Sequence, residues 1–151
     1  MSSCIFCNIV RGEAPAIRVY EDDDLVAFLD IRPITRGHTL VIPKKHATEL
    51  EDLDRDAGAR LFRLGHHLAL AMRRSDLAAD GANLVLNDGT AAFQTVGHVH
   101  LHVMPRQHGD KLRFATGLLL RRAKDPEATA AAIRAGLRRF EDEGRFESEG
   151  S

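Results

Sequence analysis

Apolar and polar positions change their period along the chain. In "AIRVYEDDDLVAFLDIRPITRGHTLVIP" (16–43) three short apolar runs, IRVY, LVAFLD and HTLVIP, are separated by EDDD and by IRPITRG. Pro33 and Gly37 in the second break are turn residues, so the stretch predicts three strands. From 52 to 75 the apolar positions Leu53, Ala57, Leu61, Leu64, Leu68 and Met72 follow helical spacing. "ANLVLNDG" (82–89) predicts a strand running into an Asn-Asp-Gly turn, and "HVHLHVMP" (98–105) a last strand closed by Pro105. "DPEATAAAIRAGLRRFEDE" (125–143) predicts a closing helix with Asp125 as cap and Pro126 at its first position. "GRFESEGS" (144–151) reads as a frayed tail. Short turns between strands imply an antiparallel sheet of about five strands, with a long helix covering one face. The expected class is α+β in a single domain, 1–151, without internal repeats.

The last predicted strand has an unusual alternation. His98, His100 and His102 share one parity, and Val99, Leu101 and Val103 the other. Successive side chains on a strand point to opposite faces. The aliphatics therefore belong under the helix and the imidazoles on a functional face. At about 3.3 Å per residue His98 and His102 are roughly 13 Å apart, too far for one metal ion to take all three. A neutral imidazole is a usable nucleophile near pH 7, and a neighbouring one can fix its tautomer or contact an anion. Such a row suits attack at phosphorus.

Composition narrows the classes. With 151 residues, 44% of them hydrophobic, the chain has the size of one self-supporting domain. A net charge of −1 gives no global field for nucleic acid, and local runs such as EDDD read as solvated faces. No apolar run approaches the roughly 20 residues of a membrane helix, and no signal-peptide layout opens the chain, so a cytoplasmic protein is expected. Cys4 and Cys7, in "CIFC", are the two cysteines; in a reducing compartment this spacing points to metal or redox chemistry. No acidic cluster suggests a catalytic magnesium ion.

"HVHLHVM" fits His-x-His-x-His-x-x with apolar x, and resembles the signature of the histidine triad family of nucleotide-binding proteins. "CIFCNIVRGEAPAIRVYEDDDLVAFLDIRPITRGHTLVIPKKH" and "NDG…QTVGHVHLHVMPR" extend the resemblance over about 4–106, leaving 107–143 as a C-terminal extension. The resemblance implies that His100 attacks the α-phosphorus of a nucleotide, giving a nucleotidyl-histidine that water hydrolyses. It implies that His102 contacts the phosphate and that His38 orients the triad. Gln94, Thr95 and Asn87 match residues near the phosphate, and Asp30 matches the aspartate that binds the ribose hydroxyls. Phe28, Ile31, Ile5, Phe6 and Ile9 match an apolar slot for the base; taken singly, each reads equally as core. Phe93 stands where the family often has glycine, which puts the geometry of that loop in question.

Some members of the family bind structural zinc through positions matching Cys4, Cys7, His46 and His98, so a structural Zn²⁺ and no catalytic metal are expected. The implied activity is a nucleotide hydrolase acting on purine, AMP-containing substrates of the phosphoramidate or dinucleoside polyphosphate type. The rival readings are a nucleotidyl transferase or phosphorylase, a nucleotide-binding module with vestigial turnover, and a zinc or redox module built on CIFC. A homodimer is implied, and neither nucleic acid nor membrane is an expected partner. His66 and His67 read as solvent or edge residues of the helix, and His108 has no assigned role.

Overall fold

The structure, a computed structural model, describes residues 3–144; the predicted tail beyond Gly144 lies outside them. The strands are β1 (Arg18–Glu21), β2 (Leu25–Leu29), β3 (Thr39–Pro43), β4 (Gly81–Leu86) and β5 (Leu101–Arg106). They form one antiparallel sheet in the order β1-β2-β3-β5-β4. The helices are α1 (Ile5–Val10), α2 (Arg55–Arg73), α3 (Lys111–Leu119) and α4 (Pro126–Asp142). In the EDDD turn, Asp22 accepts from the amides of Asp24 and Leu25, so a charged run closes the first hairpin.

Every residue of β2 and β3 is buried, because helices cover both faces of the sheet. Leu25, Ala27, Leu29, Val41, Leu101 and Val103 pack with Leu61, Leu64, Leu68 and Met72 of α2 and Ile133 and Leu137 of α4. On the opposite face Val26, Phe28, Leu40 and Ile42 pack against Phe6 and Ile9 of α1. Gly136 lets α4 lie tightly on α2: a Cβ there would fall 2.3 Å from the Ala71 carbonyl oxygen. No helix among the described residues is long and apolar enough to cross a membrane.

The α+β class and the five strands agree with the sequence reading, and the differences have local causes. α1 spans six residues, too few for a period to show, and Cys4 caps it by accepting from the Cys7 amide. α3 was not predicted. β5 starts at Leu101, so His98 and His100 lie in its lead-in rather than on the strand. Pro105 does not close β5; the β3–β5 ladder ends at Val103, so the proline's missing N–H costs nothing there. Asp125 precedes Pro126 with φ 46° and makes no side-chain cap. His67 is no solvent residue: it is buried, with its ring 5.7 Å from that of Phe140, whereas His66 is exposed.

Candidate active and metal-binding site

His38 and His102 meet across the β3–β5 ladder, where Leu40 opposes His102. His38 Nε2 lies 2.9 Å from His102 Nδ1 and 3.6 Å from Asp30 Oδ2. The Ile34 amide donates to His38 Nδ1 at 3.0 Å, so the proton of a neutral His38 sits on Nε2 and is donated to His102 Nδ1. His102 then carries its own proton on Nε2. His100 Nδ1 lies 2.8 Å from the His98 carbonyl oxygen, and donating there leaves Nε2 as the lone-pair nitrogen. The rings of His100 and His102 are 4.9 Å apart.

Burial keeps these imidazoles neutral. It holds His38 down to about 3, helped by the like charge that His102 would carry if protonated, by the Arg121 cation and by the like charge that His100 would carry if protonated. It holds His102 down to about 4, helped by His100 and Arg121. Burial also lowers His100, opposed by the His98 carbonyl and Asp30. A neutral imidazole with a fixed tautomer is the nucleophilic form.

Toward α1 the chain gathers a second group. The ligand atoms of Cys4, Cys7, His46 and His98 all lie within 4.8 Å of one another. His98 Nδ1 is 3.4 Å from Cys4 Sγ, 3.6 Å from Cys7 Sγ and 3.2 Å from His46 Nδ1, and Cys7 Sγ is 3.2 Å from His46 Nδ1. A tetrahedral zinc with bonds of about 2.0–2.3 Å needs edges of about 3.3–3.8 Å between its ligands, so the set fits. The outer contacts fit as well. His98 Nε2 donates to the Pro43 carbonyl at 2.8 Å, which turns the Nδ1 lone pair inward, and His46 Nε2 pairs with Thr48 at 3.2 Å.

Asp30, His38 and His102 also bring their ligand atoms within 4.8 Å. These do not suit a metal. The Ile34 amide occupies His38 Nδ1 and puts a proton, not a lone pair, on the nitrogen facing the other two.

The remaining predicted residues lie around this centre. Asp30 follows β2; its Oδ1 accepts from the Arg32 amide at 2.9 Å, and burial raises its pKa against the lowering effect of that amide and of Arg121. Phe6 stands edge-on to both Phe28 and His100, with centroids 5.5 and 5.2 Å away. Phe28 and Ile9 are buried beside it, while Ile5 and Ile31 are 47% and 80% exposed. Gln94 holds the loop before the triad: its amide donates to the Thr48 and Val96 carbonyls and accepts from the Gly89 amide, so both N–H groups are already engaged. Thr95 is exposed and Asn87 half-buried just after β4. Phe93 adopts φ 67°, the left-handed conformation that glycine takes most easily, with its side chain pointing to solvent. Sequence reasoning missed the Ile34 amide and the Pro43 carbonyl, which carry no side-chain signal, and Arg121, whose contacts span the chain.

Residues 11–109 match the HIT domain family. An uncharacterized HIT-like protein of Mycobacterium tuberculosis is 54% identical over 134 residues, covering 89% of this chain and 92% of the relative. Adenylylsulfatase HINT3 of Arabidopsis thaliana is 34% identical over 138 residues, covering 91% of this chain and 69% of that protein. The crystal structure of a Zn-bound histidine triad family protein from Mycobacterium smegmatis superposes with a TM-score of 0.87 at 51% identity, covering 93% of this chain and 97% of the other.

Proposed function

The chain belongs to the HIT domain family, and on that premise we propose that it is a nucleotide hydrolase acting at the α-phosphate of AMP-containing substrates. One observation carries the reading. His100 donates its Nδ1 proton to the His98 carbonyl, which leaves Nε2 unprotonated beside the His38–His102 pair. In the first step His100 Nε2 attacks the α-phosphorus. A phosphorus–nitrogen bond forms, and the bond to the leaving group breaks with its electron pair on that group. A leaving amine departs with a proton, for which His102 Nε2–H and the Thr95 hydroxyl are the nearby donors. In the second step water attacks phosphorus, loses a proton to the site, and the bond to His100 breaks, releasing AMP. His102 receives phosphate charge through a hydrogen bond whose donor is set by His38. Asn87 and Thr95 flank the phosphate, and Asp30 accepts from the ribose diol. Phe6, Phe28, Ile9, Ile5 and Ile31 form the slot for the base. Gln94 acts by holding the loop.

Zinc, when bound by Cys4, Cys7, His46 and His98, supplies a closed structural cross-link with no open position for a catalytic water. The leaving group is an amine, a nucleotide or, as the name of the Arabidopsis relative suggests, sulfate. The protein works as a homodimer; β4 is an edge strand, and Val85 on it and Phe62 on α2 are exposed apolar residues available for pairing.

The test is a quenched single turnover with adenosine 5′-phosphoramidate, adenylyl sulfate and diadenosine polyphosphates, followed by peptide mass spectrometry. An adenylyl adduct is expected on His100, and His100→Ala is expected to lose turnover by at least about a thousandfold while still binding AMP. Near-normal turnover in His100→Ala overturns the mechanism. Products carrying phosphate or a sugar phosphate on AMP identify a transferase or phosphorylase instead.

A further inference from the structure

α3 and the segment after it lie beyond residues 11–109, the part that matches the HIT domain. They are nonetheless tied to the site. At the start of α3, Arg106 pairs with Asp110 at 2.7 Å and stacks over Phe114 at 3.9 Å. Gly117 then rests on the β2–β3 loop so closely that a Cβ there would fall 2.0 Å from the Ile34 carbonyl oxygen. Four residues on, Arg121 reaches back over the same loop. Its Nε donates to the Arg32 carbonyl at 2.7 Å, and its Nη2 lies 3.4 Å from Asp30 Oδ2. A cavity of about 370 Å³ remains between this strap and the loop, lined by Asp30, Ile34, Gly117 and Leu120 among others. The strap therefore meets the loop at points, of which Gly117 and Arg121 are two.

We propose that Arg121 is a positioning residue of the nucleoside subsite, delivered by the α3 strap, which holds the Asp30 carboxylate ionised and aimed for the two ribose hydroxyls. The inference rests on the assignment of Asp30 to the ribose. Its physical basis is the state of that carboxyl. Asp30 is largely shielded from solvent, which favours the neutral form, and a protonated carboxyl loses acceptor capacity for a diol. Of the groups facing it, His38, His100 and His102 are neutral near pH 7, and Arg32 contributes its backbone amide and a more distant charge. Arg121 is the cation in contact with its free oxygen. The same guanidinium bonds the Arg32 carbonyl, fixing the loop that carries Asp30. A rigid fork does both; a lysine would do one.

The test is calorimetric binding of AMP and 2′-deoxy-AMP across pH to the wild type, Arg121→Ala, Arg121→Lys and Gly117→Ala, with circular dichroism confirming the fold. The wild type is expected to prefer AMP. Arg121→Ala is expected to weaken AMP about tenfold and 2′-deoxy-AMP by less, so that discrimination shrinks. The acidic limit of AMP binding is expected to move to higher pH. Arg121→Lys is expected to restore the pH limit but only part of the affinity, and Gly117→Ala to reproduce Arg121→Ala by lifting the strap. A wild type that does not discriminate overturns the ribose assignment, and the inference with it. Discrimination and pH limit unchanged in Arg121→Ala overturn the inference alone. So does equal loss for both nucleotides, which marks a merely structural role, or tighter AMP binding, which marks a plug.

Discussion

The triad has two ends built from similar residues, and they do opposite things. At one end Cys4, Cys7, His46 and His98 converge; at the other, Asp30, His38 and His102 converge as tightly. Both groups are ligand types for transition metals. The difference comes from backbone atoms behind the rings. A carbonyl stands behind His98, takes its Nε2 proton and turns a lone pair toward the thiols. An amide stands behind His38, takes its Nδ1 lone pair and turns a proton toward His102. One end thus presents acceptors to a cation, and the other a donor for a hydrogen-bond chain. His100 sits between them with its tautomer set by a carbonyl of the cysteine-bearing end.

The comparison is tested most strongly by removing each end separately. Cys7→Ser, or chelation, is expected to cost about 3 kcal/mol of stability, hence roughly 6–12 °C in Tm, while sparing most of kcat. Protein purified without added metal should contain about one zinc per chain by elemental analysis, lost at low pH as the thiols protonate. A cysteine variant with unchanged Tm and zinc content breaks the assignment.

His38→Gln is expected to do the reverse. Zinc content stays at about one, and kcat falls about tenfold to a hundredfold, the equivalent of about 1.5–3 kcal/mol for a hydrogen bond to a group that becomes charged. Cobalt substitution sharpens the point: bound cobalt counted by elemental analysis should saturate at one equivalent per chain, with thiolate-to-metal absorption rising in step, and Asp30→Asn should leave that stoichiometry unaltered. A second equivalent lost in Asp30→Asn would show that the His38 end binds metal after all.

Acid should act through the same end. Folded His38 is held down to about 3 by burial, whereas an unfolded imidazole titrates near about 6.5. Below that pH the unfolded chain binds more protons than the folded one, so stability falls as pH drops from about 6.5 toward 3. His38 alone accounts for on the order of 3 kcal/mol by pH 4. Denaturant midpoints measured at pH 7, 5.5 and 4 read this directly, and His38→Gln should flatten the decline. The smallest effect belongs to the loop joining the ends. Phe93→Gly relieves a left-handed residue worth about 1–2 kcal/mol, offset by glycine's greater unfolded-state freedom. The expected gain in a thermal melt is at most about 1 kcal/mol, and a clear loss would show that the exposed ring makes a contact worth keeping.

Much of this was legible before any coordinates. Apolar runs bounded by turn residues located the first three strands, alternation marked the histidine strand, helical spacing located α2 and an Asp-Pro start located α4, because burial imposes a repeat on an element covered on one face and a continuous apolar run on a strand covered on both. The alternation of His98, His100 and His102 with Val99, Leu101 and Val103 assigned the faces: Leu101 and Val103 do lie in the helix-covered core. The resemblance named the two cysteines and two histidines that the fold brings together. α1 and α3 escaped, one because it is short and the other because its apolar residues Leu112, Leu118 and Leu119 are exposed and follow no buried face. What the sequence by itself determined is which residues are the candidates for chemistry and which face they share. Only the tertiary structure decided what each imidazole does there. Its role depends on which nitrogen bears the proton, and that is set by the Ile34 amide and by the His98 and Pro43 carbonyls, backbone groups every residue has and no sequence pattern distinguishes. Tertiary structure alone also decided that Arg121, 91 positions from Asp30, lies against it, because a contact between distant segments comes from how the elements pack and leaves no local period to read.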